Sequence, residues 1–280
     1  MPLRSAPIRL QEYGVGIFDA CPTKSALKKA LKKNYILVNG KIATSATYIN
    51  GGEIITLSTP ESTHSHKRLH FNLKVLFEDE YLAVIHKPAG ILVSGNHFKT
   101  IANALQQNLK TSTLADASKP QPVHRLDFAT TGILLIGKTS KSIRTLNKRF
   151  ENKNIKKTYF AVTIGSMKNK EGTIATHIED KVAQSKYSVE QTVSSKRFGQ
   201  LNLVKLEPLT GRRHQLRIHL SQLGNPILGD KDYGINDLIL NGKGMYLHAY
   251  SLEFVHPFTQ ENICLISELP EKFKKLFYSI

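Results

Sequence analysis

The stretch Pro122-Val123-His124-Arg125-Leu126-Asp127-Phe128-Ala129-Thr130-Thr131-Gly132-Ile133-Leu134-Leu135 sets a polar cluster directly against an apolar run. Ile133 to Ile136 carries no polar side chain and predicts a buried strand. Thr130-Thr131-Gly132 reads as the turn that leads into it. The Asp127 carboxylate is therefore expected on a loop anchored by a rigid core element, a position from which functional groups are commonly presented. An Arg-x-Asp pair alone is more often a surface ion pair than a site, so the segments around it decide the reading.

Working outward, short strands alternate with helices. Leu73 to Phe77 and Tyr81 to Ile85 are strand-like around the acidic turn Glu78-Asp79-Glu80, and Thr100 to Leu109 looks like a helix start. Ser140 to Phe150 predicts a basic helix and Tyr159 to Ile164 another strand. Leu216, Leu220 and Leu223 fall at i, i+4 and i+7, a core stripe on a helix that stops at Gly224 with Pro226 beyond. His214, Arg217 and Ser221 lie on a different face of that helix, which lets Arg217 project toward a cleft. Nothing repeats internally. The mixture predicts an α+β domain over residues 68–280.

Upstream, residues 58 to 67 (STPESTHSHK) are polar and aperiodic, and 61–67 reads as a linker. Residues 1–60 form a second small unit. Pro22-Thr23 offers a helix start, after which Ala26, Leu27, Ala30 and Leu31 recur at helical spacing with Lys28, Lys29, Lys32 and Lys33 on the opposite face. Tyr35 to Val38 reads as a strand, Asn39-Gly40 as a hairpin turn, and Asn50-Gly51-Gly52 as a second turn before Ile54 to Leu57.

The chain of 280 residues carries 39 Lys and Arg against 22 Asp and Glu, a net charge of +17. Such an excess attracts polyanions, and nucleic acid is the commonest of these. Cys21 and Cys264 are isolated in sequence, which argues against a disulfide framework or a zinc ribbon. No apolar run has the length of a signal core or a bilayer span, so the expected location is cytoplasmic. His214 and His219 are about 140° apart around a helix and cannot share a metal, while His64 and His66 fall in the linker. A metal site is not expected.

Four ordered segments across residues 68–257 resemble the RluA-type pseudouridine synthases. Phe77 to Leu82, continuing through His86-Lys87-Pro88-Ala89-Gly90-Ile91-Leu92-Val93, is similar to the family's first motif. His124-Arg125-Leu126-Asp127 with its Thr-Thr-Gly and apolar run is similar to the active-site motif, and Lys157-Thr158-Tyr159-Phe160-Ala161-Val162 to the K-x-Y-x-A element. Leu209 to Leu220, continued by Gly224-Asn225-Pro226-Ile227-Leu228-Gly229-Asp230, is similar to the third motif. The unit over residues 1–60, a lysine-faced helix followed by Val38-Asn39-Gly40-Lys41, resembles the S-four-type RNA-binding motif, with Lys where that family is arginine-rich.

The resemblance implies an extended mixed, largely antiparallel sheet flanked by helices, plus a small N-terminal α/β module. It implies an isomerase acting on ribosomal RNA in preference to transfer RNA, without a cofactor; a monomer is the default expectation. Asp127 would be the catalytic carboxylate, by covalent attack or by removing a sugar proton to give a glycal. Arg217 would hold that carboxylate through paired hydrogen bonds, offsetting the cost of burying its charge, and Tyr159 would stack on the uracil. Arg125 would fill the space left by the flipped uridine, and His124 would order the loop. Lys87, Leu216, Lys28 and Lys32 complete the residues expected on the substrate side. The competing reading is a non-catalytic RNA-binding or ribosome-assembly factor on the same fold. A Ser or Cys hydrolase is disfavoured because no nucleophile-elbow pattern occurs.

Overall fold

A computed structural model of the chain describes residues 6–15, 17, 18, 21, 24–58, 69–240 and 242–277. The linker expected over 61–67, with His64 and His66, and the helix start at Pro22-Thr23 lie outside these residues. The chain divides into two compact units, Met1–Lys67 and Arg68–Ile280.

The first unit contains β1 (Ile8–Arg9), α1 (Leu10–Tyr13), α2 (Lys24–Lys32), β2 (Ile36–Val38), β3 (Lys41–Ile42), β4 (Tyr48–Ile49) and β5 (Ile55–Leu57). The apolar face of α2 buries Leu27, Ala30 and Leu31 in one cluster with Leu10, Ile36 and Ile49, leaving Lys28 and Lys32 exposed. Asn39 and Gly40 both take positive φ (48° and 76°), the turn whose twist suits the antiparallel β2–β3 hairpin.

The second unit runs β6 (Lys74–Glu78), β7 (Leu82–Lys87), α3 (Ile101–Asn108), β8 (Ala117–Pro122), β9 (Thr131–Thr139), α4 (Ser140–Glu151), β10 (Lys156–Ile164), β11 (Glu171–Ile178), β12 (Lys181–Ser195), β13 (Gly199–Pro208), α5 (Gln215–Gln222), β14 (Leu247–Val255), β15 (Asn262–Ile266) and α6 (Glu271–Lys274). One sheet has the order β11-β12-β13-β10-β14-β9-β7-β6, with β15 also on β14 and β8 also on β9. Its pairings are antiparallel except β9 with β14. This is the α+β architecture with a large mixed sheet that the sequence implied.

Every residue of β9 is buried because the strand is covered on both faces. Leu134 and Ile136 pack with Ile101, Ala104 and Leu105 of α3, while Ile133 and Leu135 pack with Leu146 of α4. Both helices start on a threonine: the Thr100 side chain caps α3, and Thr139 forms a reciprocal capping box with Ser142 on α4.

Two local expectations change. The turn before β9 is Asp127 to Thr130, closed by the Thr130 N–H donating to Asp127 O at 3.1 Å, and Thr131 and Gly132 already belong to the strand. Gly132 has φ +113°, and a Cβ there would sit 2.1 Å from the Ala249 carbonyl oxygen, so the close parallel approach of β9 to β14 requires glycine. In α5, Leu216 and Leu220 are buried but Leu223 is 41% exposed, because the helix ends at Gln222. His219 takes an inward place instead, with Nδ1 3.1 Å from Ser185 Oγ.

Candidate active site

The sheet order brings three separated segments together. Asp127 stands on the turn entering β9, and β14 separates that strand from β10, which carries Tyr159. A register shift between Thr158 and Tyr159 bends β10 against β14 at this point. Arg217 projects from α5, as its helical position implied. All three line one cavity of about 620 Å³, together with His124, Arg125 and Leu216. Lys153, Lys157, Arg212 and Arg213 line the same cavity, so its walls are cationic.

Arg217 does not hold Asp127 through paired hydrogen bonds. Its Nη1 lies 3.9 Å from Asp127 Oδ2, an ion pair without a hydrogen bond. The paired bonds go to Asp230, from Nε to Oδ2 at 2.7 Å and from Nη2 to Oδ1 at 2.6 Å, and Nη2 also reaches Asp232 Oδ2 at 2.6 Å. The guanidinium also lies over the Tyr233 ring, 4.9 Å from its centroid. Burial works against the Arg217 charge, but the bonds to Asp230 and Asp232 and the field of Asp127 outweigh it and raise its pKa. The arginine is thus fixed by two other carboxylates and presents its remaining nitrogen to Asp127.

Asp230, Asp232, His214 and Tyr233 were not foreseen as parts of the site. Gly229-Asp230 closed the third motif, but a carboxylate 13 residues from Arg217 follows no local pairing rule. His214 has φ 53°, ahead of α5 rather than on its face. Its Nε2 lies 3.7 Å from Asp127 Oδ1 and its Nδ1 is 3.0 Å from the Tyr233 hydroxyl. Burial lowers its pKa, and Asp127 opposes that shift.

Lys87 does not face substrate. It is 0% exposed, and its ammonium donates to the carbonyls of Pro88 (3.0 Å), Phe128 (3.2 Å) and Thr130 (2.8 Å). With all three of its N–H bonds satisfied beneath the turn, it braces the backbone after Asp127. Burial pushes its pKa down to about 8, against the pull of Asp127.

Tyr159 is half-buried between two core clusters. Burial, then the nearby Asp127 charge, pushes its phenol up, so it stays neutral at working pH. Arg125 is exposed at the cavity. His124 accepts the Leu135 N–H on Nε2 at 3.0 Å and stacks on Phe150 at 4.6 Å between ring centroids, contacts that order the loop. Lys28 and Lys32 belong to the first unit.

Burial pushes the His124 imidazole down to about 3, whereas an unfolded histidine titrates near 6.5. Below pH 6.5 the unfolded chain therefore takes up a proton that the folded ring refuses. Stability with respect to this ring is full above that pH and declines as pH falls toward about 3. The urea midpoint is expected to drop between about pH 6.5 and pH 4, and to drop less in His124→Gln. An unchanged pH slope in the variant would show that other groups carry it.

The model of a family described as RNA pseudouridylate synthase matches residues 81–222, which include Asp127, Tyr159 and Arg217. The chain belongs to this family. It is accordingly an RNA pseudouridine synthase, an isomerase. It is 31% identical to an uncharacterized RNA pseudouridine synthase of Aquifex aeolicus, over 91% of this chain and 88% of that protein. It is 30% identical to ribosomal large subunit pseudouridine synthase D of Nitrosomonas europaea, over 92% of this chain and 80% of that one. The solved structure of human RNA pseudouridylate synthase domain containing 4 superposes with a TM-score of 0.57 at 26% identity, over 71% of this chain and 90% of the human one. Among the described residues, no helix is long and apolar enough to cross a membrane.

Proposed function

We propose that this synthase modifies ribosomal RNA in the cytoplasm, as a monomer, with Asp127 as its catalytic carboxylate. The observation that carries the catalytic assignment is the carboxylate at a cation-walled cavity, with Arg217 Nη1 3.9 Å and His214 Nε2 3.7 Å away, neither within hydrogen-bond distance. The target uridine leaves its stack to enter the cavity, at a cost of a few kcal/mol. Arg125 occupies the vacated space, and the Tyr159 ring lies against the uracil. Asp127 acts on the sugar, by attack or by taking a ribose proton. The bond from C1′ to N1 breaks, the base turns, and C1′ joins C5. C5 loses its proton and N1 gains one, so the isomerisation needs no redox or group-carrying cofactor. The first unit serves as an S-four-type module in which Lys28 and Lys32 contact phosphates. Relatives named as ribosomal large subunit pseudouridine synthases support ribosomal RNA over transfer RNA.

The test is tritium release from RNA labelled at uracil C5, isolated from cells lacking this protein. Release is expected from large-subunit ribosomal RNA and not from transfer RNA. In the Lys28→Gln/Lys32→Gln variant, KM is expected to rise and its salt dependence to weaken. Release from transfer RNA alone reverses the substrate assignment. RNA binding without release from any RNA class returns the chain to a non-catalytic binding factor.

A further inference from the structure

Phe128 stands at the first corner of the Asp127–Thr130 turn, where a large apolar ring brings folding little. The residue is 54% exposed and belongs to no buried cluster among the described residues, whereas the next residue, Ala129, packs against the core. Its backbone is nevertheless fixed. The Phe128 carbonyl accepts both the Gly90 N–H at 2.9 Å and the Lys87 ammonium at 3.2 Å. A single exposed apolar side chain needs no explanation in itself. This one is distinguished by being rigidly held, aromatic, and covalently next to Asp127, with the exposed Arg125 on the other side of that residue.

We infer that Phe128 is a stacking platform for the nucleobase flanking the target uridine. The inference rests on Asp127 being the catalytic carboxylate. An RNA strand that delivers a sugar to Asp127 must carry its neighbouring nucleotide past a residue whose Cα is only about 3.8 Å away. A base unstacked from the flipped uridine loses one face of its stack, and an exposed phenyl ring replaces it. Every base has a π-face, so this contact grips the strand with little regard to sequence. Arg125 supplies the complementary charge for the backbone between the two nucleotides.

The chain contains no Trp, so Phe128→Trp introduces a single fluorescent reporter at the platform. The probe is an unmodified large-subunit ribosomal RNA transcript labelled at uracil C5. Phe128→Ala is expected to raise KM about tenfold, the range of one lost base–aromatic stack. Its kcat should stay within about threefold of wild type, since Asp127, Tyr159 and Arg217 are untouched. The slope of KM against salt should be unchanged, because no charge is removed. Phe128→Trp should keep the wild-type KM, and RNA should quench its emission. A wild-type KM in Phe128→Ala, or unquenched emission with RNA bound, overturns the platform. So does a loss of kcat with KM kept, which would make the ring part of the loop's structure. Quenching by RNA with no tritium release from wild type shows the ring meeting RNA that offers no target uridine, which overturns a platform beside the target and places the failure in the activity or the ribosomal RNA assignment.

Discussion

Asp127→Asn is expected to lower kcat for tritium release by at least about 10²-fold while RNA binding stays within a few fold of wild type. The amide keeps the shape of the side chain but can neither attack the sugar nor take its proton. The size of the loss separates the two routes. Positioned general bases contribute about 10² to 10⁴, so a residual rate inside that range favours proton removal and a glycal, and a deeper loss favours covalent attack. Folding should change little, because Asp127 makes no side-chain hydrogen bond to Arg217 or His214, only an ion pair with Arg217 at 3.9 Å and an approach of the His214 ring at 3.7 Å. Equal release by variant and wild type would remove Asp127 from the chemistry and leave the family assignment standing.

Arg217→Met is the substitution expected to cost the fold most. The Asp230 side chain is 0% exposed and receives two charge-assisted hydrogen bonds from Arg217. Removing the guanidinium leaves a buried carboxylate without its counter-charge, at a cost of about 3–5 kcal/mol. For a chain of this size that corresponds to a melting temperature lower by about 6–20 °C. Activity should fall as well, since the cation nearest Asp127 is lost. The double variant Arg217→Met/Asp230→Leu should recover part of the stability and none of the activity, because no buried charge is then stranded although the Asp232 and Tyr233 N–H groups lose Asp230 as their acceptor. Lys at 217 cannot reproduce the planar fork that spans Asp230 and Asp232. A double variant no more stable than Arg217→Met would show that the backbone N–H bonds to Asp230, from Asp232 at 3.0 Å and Tyr233 at 3.2 Å, outweigh the stranded charge.

Much of the second unit is legible in local patterns. The apolar run after Gly132 appears as β9, the basic stretch from Ser140 as α4, and the strand containing Tyr159 as β10. Each is decided by periodicity and end signals within about a dozen neighbouring residues. The site residues Asp127, Tyr159 and Arg217 were reached through ordered motifs, and they line one cavity. Local pattern misleads where neighbours intrude. Thr131 and Gly132 look like a turn because threonine and glycine favour one, yet Gly132 is strand because β14 passes too close for a Cβ. Leu223 fits an apolar stripe by spacing, but the helix stops one residue earlier.

By itself, the sequence determined the α+β class and the order of the motifs, because these depend on residue type and short spacing, and the family resemblance those motifs carry pointed to Asp127. Only the tertiary structure decided which groups share the charge of the site. Arg217 is bound to Asp230 rather than Asp127, and Lys87 reaches across 43 residues to Thr130 instead of facing RNA. Electrostatic pairing depends on distance in space and on burial, and a +17 chain offers each carboxylate many possible partners until the sheet order selects among them.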